Sequence, residues 1–156
     1  YERCAKIIER YSCRKGLDMA ELFMRLVFCF VAGNSDMHLK NFSLIETGEG
    51  TGTYSLSPAY DLLPVNVIMP EDKEQFALAM NGKKRNLHRK DFLVYADACG
   101  ISRVSAEKML DAVIEQREMF VALCEASLLP VHLKERFEKL IQERCDAIAK
   151  RTQRKE

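Results

Sequence analysis

The residues best suited to chemistry lie in one polar stretch, GNSDMHLKNF, which spans residues 33–42 and directly follows an apolar run. Within it, Asp36 and Asn41 form the pattern D-x-x-x-x-N between a predicted helix and a predicted strand. Phosphoryl transfer to a hydroxyl needs an acid near the attacking oxygen and oxygen ligands for Mg²⁺, which one such loop can supply. A second carboxylate, Asp61 in AYDLLP, follows the next predicted hairpin, and a hairpin returns the chain to where it left. We therefore expect Asn41 and Asp61 to lie close together and to hold a metal ion.

Each of these residues also has a purely structural interpretation. Asp36 could accept hydrogen bonds from local backbone N–H groups, and Asn34 could occupy a left-handed turn position. His38 could support the loop, and Asp61 could be an ordinary turn aspartate. The combination of a helix end, D-x-H-x-K-N, a hairpin and an isolated aspartate favours a reactive site over four unrelated turn residues.

Apolar periodicity predicts the elements that position this stretch. Asp18 followed by Glu21 indicates a capping-box-like start for the helix before the loop, and Gly33 indicates its end. FSLIE and TYSLS predict a hairpin, and EQFALAM predicts a further strand that ends at Asn81-Gly82. The predicted helices cover residues 2–14, 19–32, 89–99, 103–127 and 131–150. The expected architecture is a mostly α lobe with one small β-hairpin inserted after the second helix.

Composition excludes several classes of protein. The chain has 156 residues, is 47% hydrophobic and 30% charged, and carries a formal charge of +1, which predicts neither direct nucleic-acid binding nor a membrane-surface role. No apolar run approaches the roughly 18 residues that span a bilayer. The six cysteines are widely separated without a C-x-x-C pair, which favours a reducing, cytoplasmic compartment. Because the chain starts at Tyr1 inside a helical pattern, we expect it to be a piece of a longer polypeptide.

At the polar stretch the sequence resembles a known family. GNSDMHLKNFSL, followed by LSPAYDLLP, looks like the HipA-like serine/threonine protein kinases, the toxins of bacterial toxin–antitoxin modules. The D-x-H-x-x-N form is also similar to the phosphoinositide-kinase-like branch of the protein-kinase fold. The resemblance implies a mostly α (α+β) fold, the C-terminal helical lobe of a protein-kinase-like fold with a small β-hairpin. We expect residues 1–150 to form this lobe and residues 151–156 to be a basic tail.

The resemblance also implies roles for individual residues. Asp36 would be the catalytic base that accepts or orients the proton of a substrate Ser or Thr hydroxyl. Asn41 and Asp61 would hold Mg²⁺ on the phosphates of ATP. The nucleotide site would be lined by His38, Leu39, Lys40 and Tyr60, together with the two metal ligands. Lys40 could meet a phosphate or could be a solvated lysine.

The implied partners are a protein substrate, with an aminoacyl-tRNA synthetase as one candidate, and an antitoxin-like DNA-binding protein. Direct nucleic-acid binding and a membrane are not expected. The basic residues Lys83, Lys84 and Arg85 could contact such an antitoxin or could form a solvated turn.

Parts of a kinase are absent from the sequence. There is no strand lysine for the phosphates and no hinge for adenine, and the Gly-rich stretch at residues 48–52 precedes a predicted strand, which indicates a hairpin tip. We therefore expect the 156 residues alone to bind Mg-ATP weakly or not at all and to be inactive. The alternative function is a non-catalytic helical interaction module that binds an antitoxin-like partner.

Overall fold

The computed structural model describes residues 1–149 and forms them mostly into α-helices. In chain order the elements are α1 (Glu2–Tyr11), α2 (Lys15–Ala32), a 3₁₀ turn (Leu39–Asn41), β1 (Leu44–Glu46), β2 (Tyr54–Leu56), α3 (Val65–Ile68), α4 (Arg89–Ala98), α5 (Arg103–Glu115), α6 (Arg117–Ala126) and α7 (Val131–Ala149). The expected mostly α fold with a small hairpin is confirmed.

Helix α2 is the centre of the lobe. Ten of its residues are buried, and the helix packs against α1, α5, α7 and β2. Burial on most sides explains why the apolar run AELFMRLVFCFVA is nearly continuous rather than confined to one stripe. Phe30, Phe76 and Phe92 meet near the end of α2 with ring centroids 5.2–6.2 Å apart. This aromatic cluster fixes the position from which the polar stretch leaves the helix.

The hairpin prediction is confirmed. Strands β1 and β2 pair antiparallel, with Leu44 opposite Leu56 and Glu46 opposite Tyr54. The Gly-rich stretch at residues 48–52 lies between the two strands, as expected for a hairpin tip. The hairpin therefore carries the chain out of the polar stretch and back to the segment that contains Asp61.

The predicted start of α2 is wrong. The helix begins at Lys15 after Arg14, so Asp18 lies inside the first turn rather than at the cap. Asp18 is 1% exposed, and its carboxylate accepts hydrogen bonds from Ser12 Oγ at 2.7 Å and from the Leu56 backbone N–H at 2.7 Å. The acid joins α1, α2 and β2 instead of capping a helix, because the hairpin packs directly above it.

Two further element predictions need correction. EQFALAM forms no strand: Met80 only makes an isolated bridge with Lys83, and Phe76 and Met80 are buried in the core. The apolar alternation of this segment thus reflects burial without a partner strand. The predicted helix over residues 103–127 is two helices, α5 and α6, which meet at Gln116.

Some expectations concern the ends of the lobe and its cysteines. Residues 150–156, including the expected basic tail at 151–156, lie outside the described residues, so the predicted division at residue 150 stays a prediction. All six cysteines lie within residues 1–149 and are unpaired. No helix in this described part is both long and apolar enough to cross a bilayer.

Candidate active site

The polar stretch begins at Gly33, which ends α2 with a left-handed backbone (φ 71°). The Gly33 carbonyl accepts hydrogen bonds from the Ser35 N–H at 3.1 Å and the Asn66 N–H at 2.9 Å. A Cβ added at this position would overlap Leu140 Cδ2 of α7. Backbone geometry and crowding therefore both require glycine here, and the predicted helix end is confirmed.

Asp36 combines a fixed backbone with an accessible carboxylate. Its carbonyl accepts hydrogen bonds from the His38 N–H at 2.8 Å and from Asn41 Nδ2 at 3.2 Å, and its N–H donates to Asn34 Oδ1 at 3.3 Å. The side chain itself is 63% exposed, and His38 Nε2 lies 3.9 Å from Asp36 Oδ1. Such a carboxylate can meet an incoming hydroxyl without rearrangement of the loop.

Asn41 lies at the end of the 3₁₀ turn and is 4% exposed. Asn41 Nδ2 donates to the Asp36 carbonyl, so Asn41 Oδ1 is the side-chain atom that stays available for a ligand. Asp36 and Asn41 are thus brought together as the D-x-x-x-x-N spacing suggested.

The segment that contains Asp61 contacts the polar stretch through the side chain of Asn34. The Asp61 carbonyl accepts a hydrogen bond from Asn34 Nδ2 at 3.1 Å, although the two residues are 27 positions apart. Asp61 has a left-handed backbone (φ 55°), a conformation that aspartate adopts more often than most residues other than glycine. The expected return across the hairpin is therefore seen for the Asp61 backbone, while a shared metal site with Asn41 stays a prediction.

Tyr60 joins the returning segment to the other residues of the expected nucleotide site. Its hydroxyl donates to the Lys40 carbonyl at 2.7 Å and lies 2.6 Å from Ser43 Oγ. Leu39 is 55% exposed beside it, and the Lys40 side chain is exposed as well. We refer to residues 38–40, together with Tyr60, which bonds the Lys40 carbonyl, as the rim of the loop.

An apolar cavity of about 330 Å³ lies beside this rim. It is formed by one face of α1 and by the loop and hairpin, with Ile8, Leu39, Phe42 and Leu44 among its lining residues. Small-molecule sites are typically concave and mostly apolar, with a few polar groups at the edge. The cavity and the polar rim together have this character.

Sequence reasoning missed several residues that hold the loop. Asn34 is 2% exposed, and its side chain joins Asp36 to Asp61. One interpretation of the sequence had given it only a turn position. Ser35 Oγ donates to Asp72 Oδ2 at 2.6 Å, and the Tyr1 hydroxyl donates to the Met37 carbonyl at 2.8 Å. No local pattern marks Tyr1 or Asp72, because both contacts join segments far apart in the chain.

The basic turn at residues 83–85 is engaged in ion pairs. Lys83 Nζ lies 2.7 Å from Asp91 Oδ1, and Arg85 Nη2 lies 2.8 Å from Glu74 Oε1. Lys84 also approaches Glu74, at 3.7 Å. The three basic residues are therefore paired with acidic residues of the lobe itself.

The donor chemistry of the site fits Mg²⁺. This ion prefers oxygen ligands and usually takes one or two carboxylates from the protein, with phosphates and water completing the octahedron. Asn41 Oδ1 and the Asp61 carboxylate accept no hydrogen bond from residues 1–149 and are free to serve. Within the same residues no group of three or more His, Cys, Asp and Glu could hold a metal ion by itself.

Comparisons with known proteins agree on one family. The model of the HipA-like C-terminal domain matches residues 1–121. A relative from Sinorhizobium fredii, named "Putative kinase Y4dM", is 37% identical over 110 residues, which cover 70% of this chain and 26% of that protein. A "Putative kinase" from Haemophilus influenzae is 24% identical over 146 residues, covering 83% of this chain and 42% of that protein. The chain therefore spans only about a quarter to two fifths of these relatives.

A solved structure shares the fold. The HipA chain from the complex of the Shewanella oneidensis MR-1 toxin–antitoxin proteins HipA and HipB with operator DNA superimposes with a TM-score of 0.80. The match covers 95% of this chain and 35% of that chain, at 17% sequence identity. The resemblance noted at the polar stretch is thereby confirmed.

Proposed function

The chain belongs to the HipA-like C-terminal domain family, and from that premise we propose that it is the C-terminal catalytic lobe of an ATP- and Mg²⁺-dependent serine/threonine protein kinase. The family match and the relatives named as kinases support a kinase-like function. Serine/threonine specificity, the cofactors and the residue roles are part of the proposal.

One observation carries the proposal: Asp36 presents an exposed carboxylate on a backbone held by three hydrogen bonds. A general base must lie within hydrogen-bond reach of the proton that it accepts, and its geometry must survive substrate binding. The bonds from Asn34, His38 and Asn41 fix its Cα, while the carboxylate stays accessible to a protein substrate.

The proposed reaction assigns one task to each group of residues. Asp36 accepts the proton of the Ser or Thr hydroxyl as that oxygen bonds to the γ-phosphorus and the bond to the β–γ bridging oxygen breaks, leaving ADP. Asn41 Oδ1 and the Asp61 carboxylate would hold Mg²⁺. When bound, the ion neutralises charge on the phosphates, and ATP supplies the phosphoryl group.

The nucleotide would occupy the rim and the neighbouring cavity. A purine base suits the apolar lining by Leu39 and Phe42, and the cavity volume of about 330 Å³ is at the lower end of the range for small-molecule sites. In this proposal the exposed Lys40 would meet a phosphate. His38 Nδ1 is buried without a hydrogen-bond partner in residues 1–149, so the bound state would have to satisfy it.

Substitution of Asp36 tests this proposal. In the native full-length protein, Asp36→Asn should lower the rate of phosphoryl transfer by about 10²- to 10⁴-fold, because a positioned base typically contributes that much. Thermal unfolding should stay close to wild type, since the carboxylate is largely exposed. The 156-residue chain alone is expected to give no transfer and only weak binding of Mg-ATP in the same assay.

The matched control is Asp97→Asn, which changes another exposed aspartate, on α4 and away from the loop. This variant should keep the wild-type rate. An Asp36→Asn protein that transfers phosphate as fast as the control would contradict the assignment of Asp36.

The partners belong to the same proposal. Because the Shewanella HipA was solved with HipB and operator DNA, we infer an antitoxin-like DNA-binding partner for the full-length protein. The substrate is a protein, with an aminoacyl-tRNA synthetase as one candidate, and the expected location is the cytoplasm.

A further inference from the structure

Asn34 occupies an unusual position for a residue at the end of a helix. It is 2% exposed, and its backbone N–H donates to the Cys29 carbonyl at 2.8 Å. Its side chain points away from solvent and uses both of its polar atoms on the site. Oδ1 accepts from the Asp36 N–H at 3.3 Å, and Nδ2 donates to the Asp61 carbonyl at 3.1 Å.

One planar amide therefore connects the two acidic residues of the site. Asp36 and Asp61 belong to segments separated by the whole hairpin, so their relative position is not set by local chain geometry. An amide offers a donor and an acceptor about 2.3 Å apart in a rigid plane. Contact with both backbones fixes the separation of the two segments and also the orientation of each peptide group.

The backbone of Asp61 increases the need for such a contact. A left-handed conformation costs most residues other than glycine about 1–2 kcal/mol, and aspartate less, since its short polar side chain can hydrogen-bond locally. Asp61 has a φ of 55°, and the hydrogen bond from Asn34 is made directly to its carbonyl. Loss of this bond would allow Asp61 to relax toward an ordinary backbone, which would redirect its carboxylate.

The second contact of Asn34 Nδ2 is weak by comparison. Cys29 Sγ lies 3.9 Å away, and burial raises the pKa of the Cys29 thiol to about 12, so the sulfur is a neutral and poor acceptor. The Asp61 carbonyl is the strong acceptor for this amide. The orientation of the Asn34 side chain is thus determined by the two acidic residues of the site.

We propose that Asn34 is a positioning residue that sets the distance between the base Asp36 and the metal ligand Asp61. This inference rests on the proposed function and extends it to a residue that touches neither metal nor substrate. Residues that orient metal ligands typically change metal affinity or activity by 10- to 100-fold when they are replaced. The expected defect is therefore in metal binding rather than in proton transfer.

Two substitutions separate the contacts. Asn34→Ala removes both hydrogen bonds. Asn34→Ser is milder, because a serine hydroxyl can still accept from the N–H two residues on but is too short to reach Asp61. The matched control is Asn81→Ala, which removes another side-chain amide that donates to a backbone carbonyl, here that of Asp91 in α4 at 2.7 Å.

The experiment measures Mn²⁺ binding by electron paramagnetic resonance in the native full-length protein, in the presence of a non-hydrolysable ATP analogue. Asn34→Ala and Asn34→Ser should each weaken Mn²⁺ binding by about 10- to 100-fold, whereas Asn81→Ala should keep the wild-type affinity. In the transfer assay, high Mg²⁺ should restore part of the activity of both Asn34 variants. It should restore none in Asp36→Asn, whose defect lies in the base.

The outcomes distinguish this inference from the proposed function. If Asp61→Ala abolishes Mn²⁺ binding while Asn34→Ser keeps it, Asn34 is not a positioning residue and the kinase proposal stands. An equal loss in Asn81→Ala and Asn34→Ala would indicate general loosening and also overturn the inference. If Asp61→Ala leaves Mn²⁺ binding intact, the metal role of Asp61 fails, and the inference fails with it. Should Asn34→Ala not fold, Asn34→Ser decides.

Discussion

The loop that carries Asp36 is held from two sides that use different interactions. On the side of the helices, Gly33 packs against Leu140, and Met37 is fully buried. On the side of the hairpin return, hydrogen bonds from Asn34 to Asp61 and from Tyr60 to Lys40 join partly exposed segments. We call these the packed side and the hydrogen-bonded side.

The two sides therefore differ in how much they can move. Close packing tolerates almost no change in volume, so the packed side gives the loop one fixed point of departure. Hydrogen bonds near solvent contribute only about 0.5–1.5 kcal/mol each and can be exchanged for bonds to water. The exposed contact between Tyr60 and Lys40 can therefore give way to water, while the packed side and the buried Asn34 amide stay in place.

Gly33→Ala tests the packed side and should have the largest effect. We expect it to lower the free energy of unfolding by roughly 2–5 kcal/mol, because a left-handed backbone costs about 1–2 kcal/mol and an inserted methyl group in a packed core about 1–3 kcal/mol. Urea unfolding followed by circular dichroism measures the change.

Two controls divide this effect into its parts. Gly82 has a φ of 77° and no atom within 4 Å of an added Cβ, so Gly82→Ala should show the backbone cost alone. Adding Leu140→Ala to Gly33→Ala removes the overlapping atom, but leaves the backbone cost and creates space at Leu140. Equal losses for Gly33→Ala and Gly82→Ala would show that crowding against Leu140 contributes nothing.

Tyr60→Phe tests the hydrogen-bonded side and should have a smaller effect. The change removes one hydroxyl that bonds the Lys40 carbonyl and Ser43 Oγ. Since these groups are exposed and can bond water instead, we expect a loss of about 1 kcal/mol or less in the same urea experiment. Tyr11→Phe, on a half-exposed tyrosine of α1, serves as the control. A loss as large as that of Gly33→Ala would remove the distinction between the two sides.

Ser35→Ala should have the smallest effect, and one that depends on pH. The hydrogen bond from Ser35 Oγ, with a second from the Glu74 N–H, holds the pKa of Asp72 below its usual range. A carboxyl with a lowered pKa in the folded state stabilises the fold above its ordinary pKa, near 4, and this contribution is lost as the pH falls further. The difference in stability between wild type and Ser35→Ala should therefore be larger at pH 7 than at pH 3.

The control for this experiment is Ser57→Ala. Ser57 Oγ is buried without a hydrogen-bond partner in residues 1–149, so its removal should change stability equally at both pH values. If the stability difference between wild type and Ser35→Ala is the same at both pH values, the bond from Ser35 does not stabilise the Asp72 carboxylate.

The sequence predicted those features that depend on neighbouring residues. The apolar repeat of α2, its end at Gly33 and the hairpin between residues 44 and 56 all follow from local periodicity and turn chemistry. Asp36 and Asn41 could be proposed as a pair because they lie within one loop. Their contact needs only the 3₁₀ turn between them.

Long-range packing changed the meaning of other residues. Asp18 has the spacing of a helix cap, yet it is buried under the hairpin and bonds the Leu56 N–H. The segment around Phe76 alternates like a strand, yet it has no partner strand and fills the aromatic core. In both cases the local pattern was sound, but a distant segment offered a more favourable partner.

By itself, the sequence determined the helix, the loop and the types of residue available for chemistry, because these follow from interactions over a few positions. Only the tertiary structure decided that Asn34 joins Asp36 to Asp61, that Tyr60 reaches Lys40 and that Tyr1 supports Met37. These contacts connect residues 20–36 positions apart. Their existence depends on how the core brings separate segments together, and no local pattern encodes that arrangement.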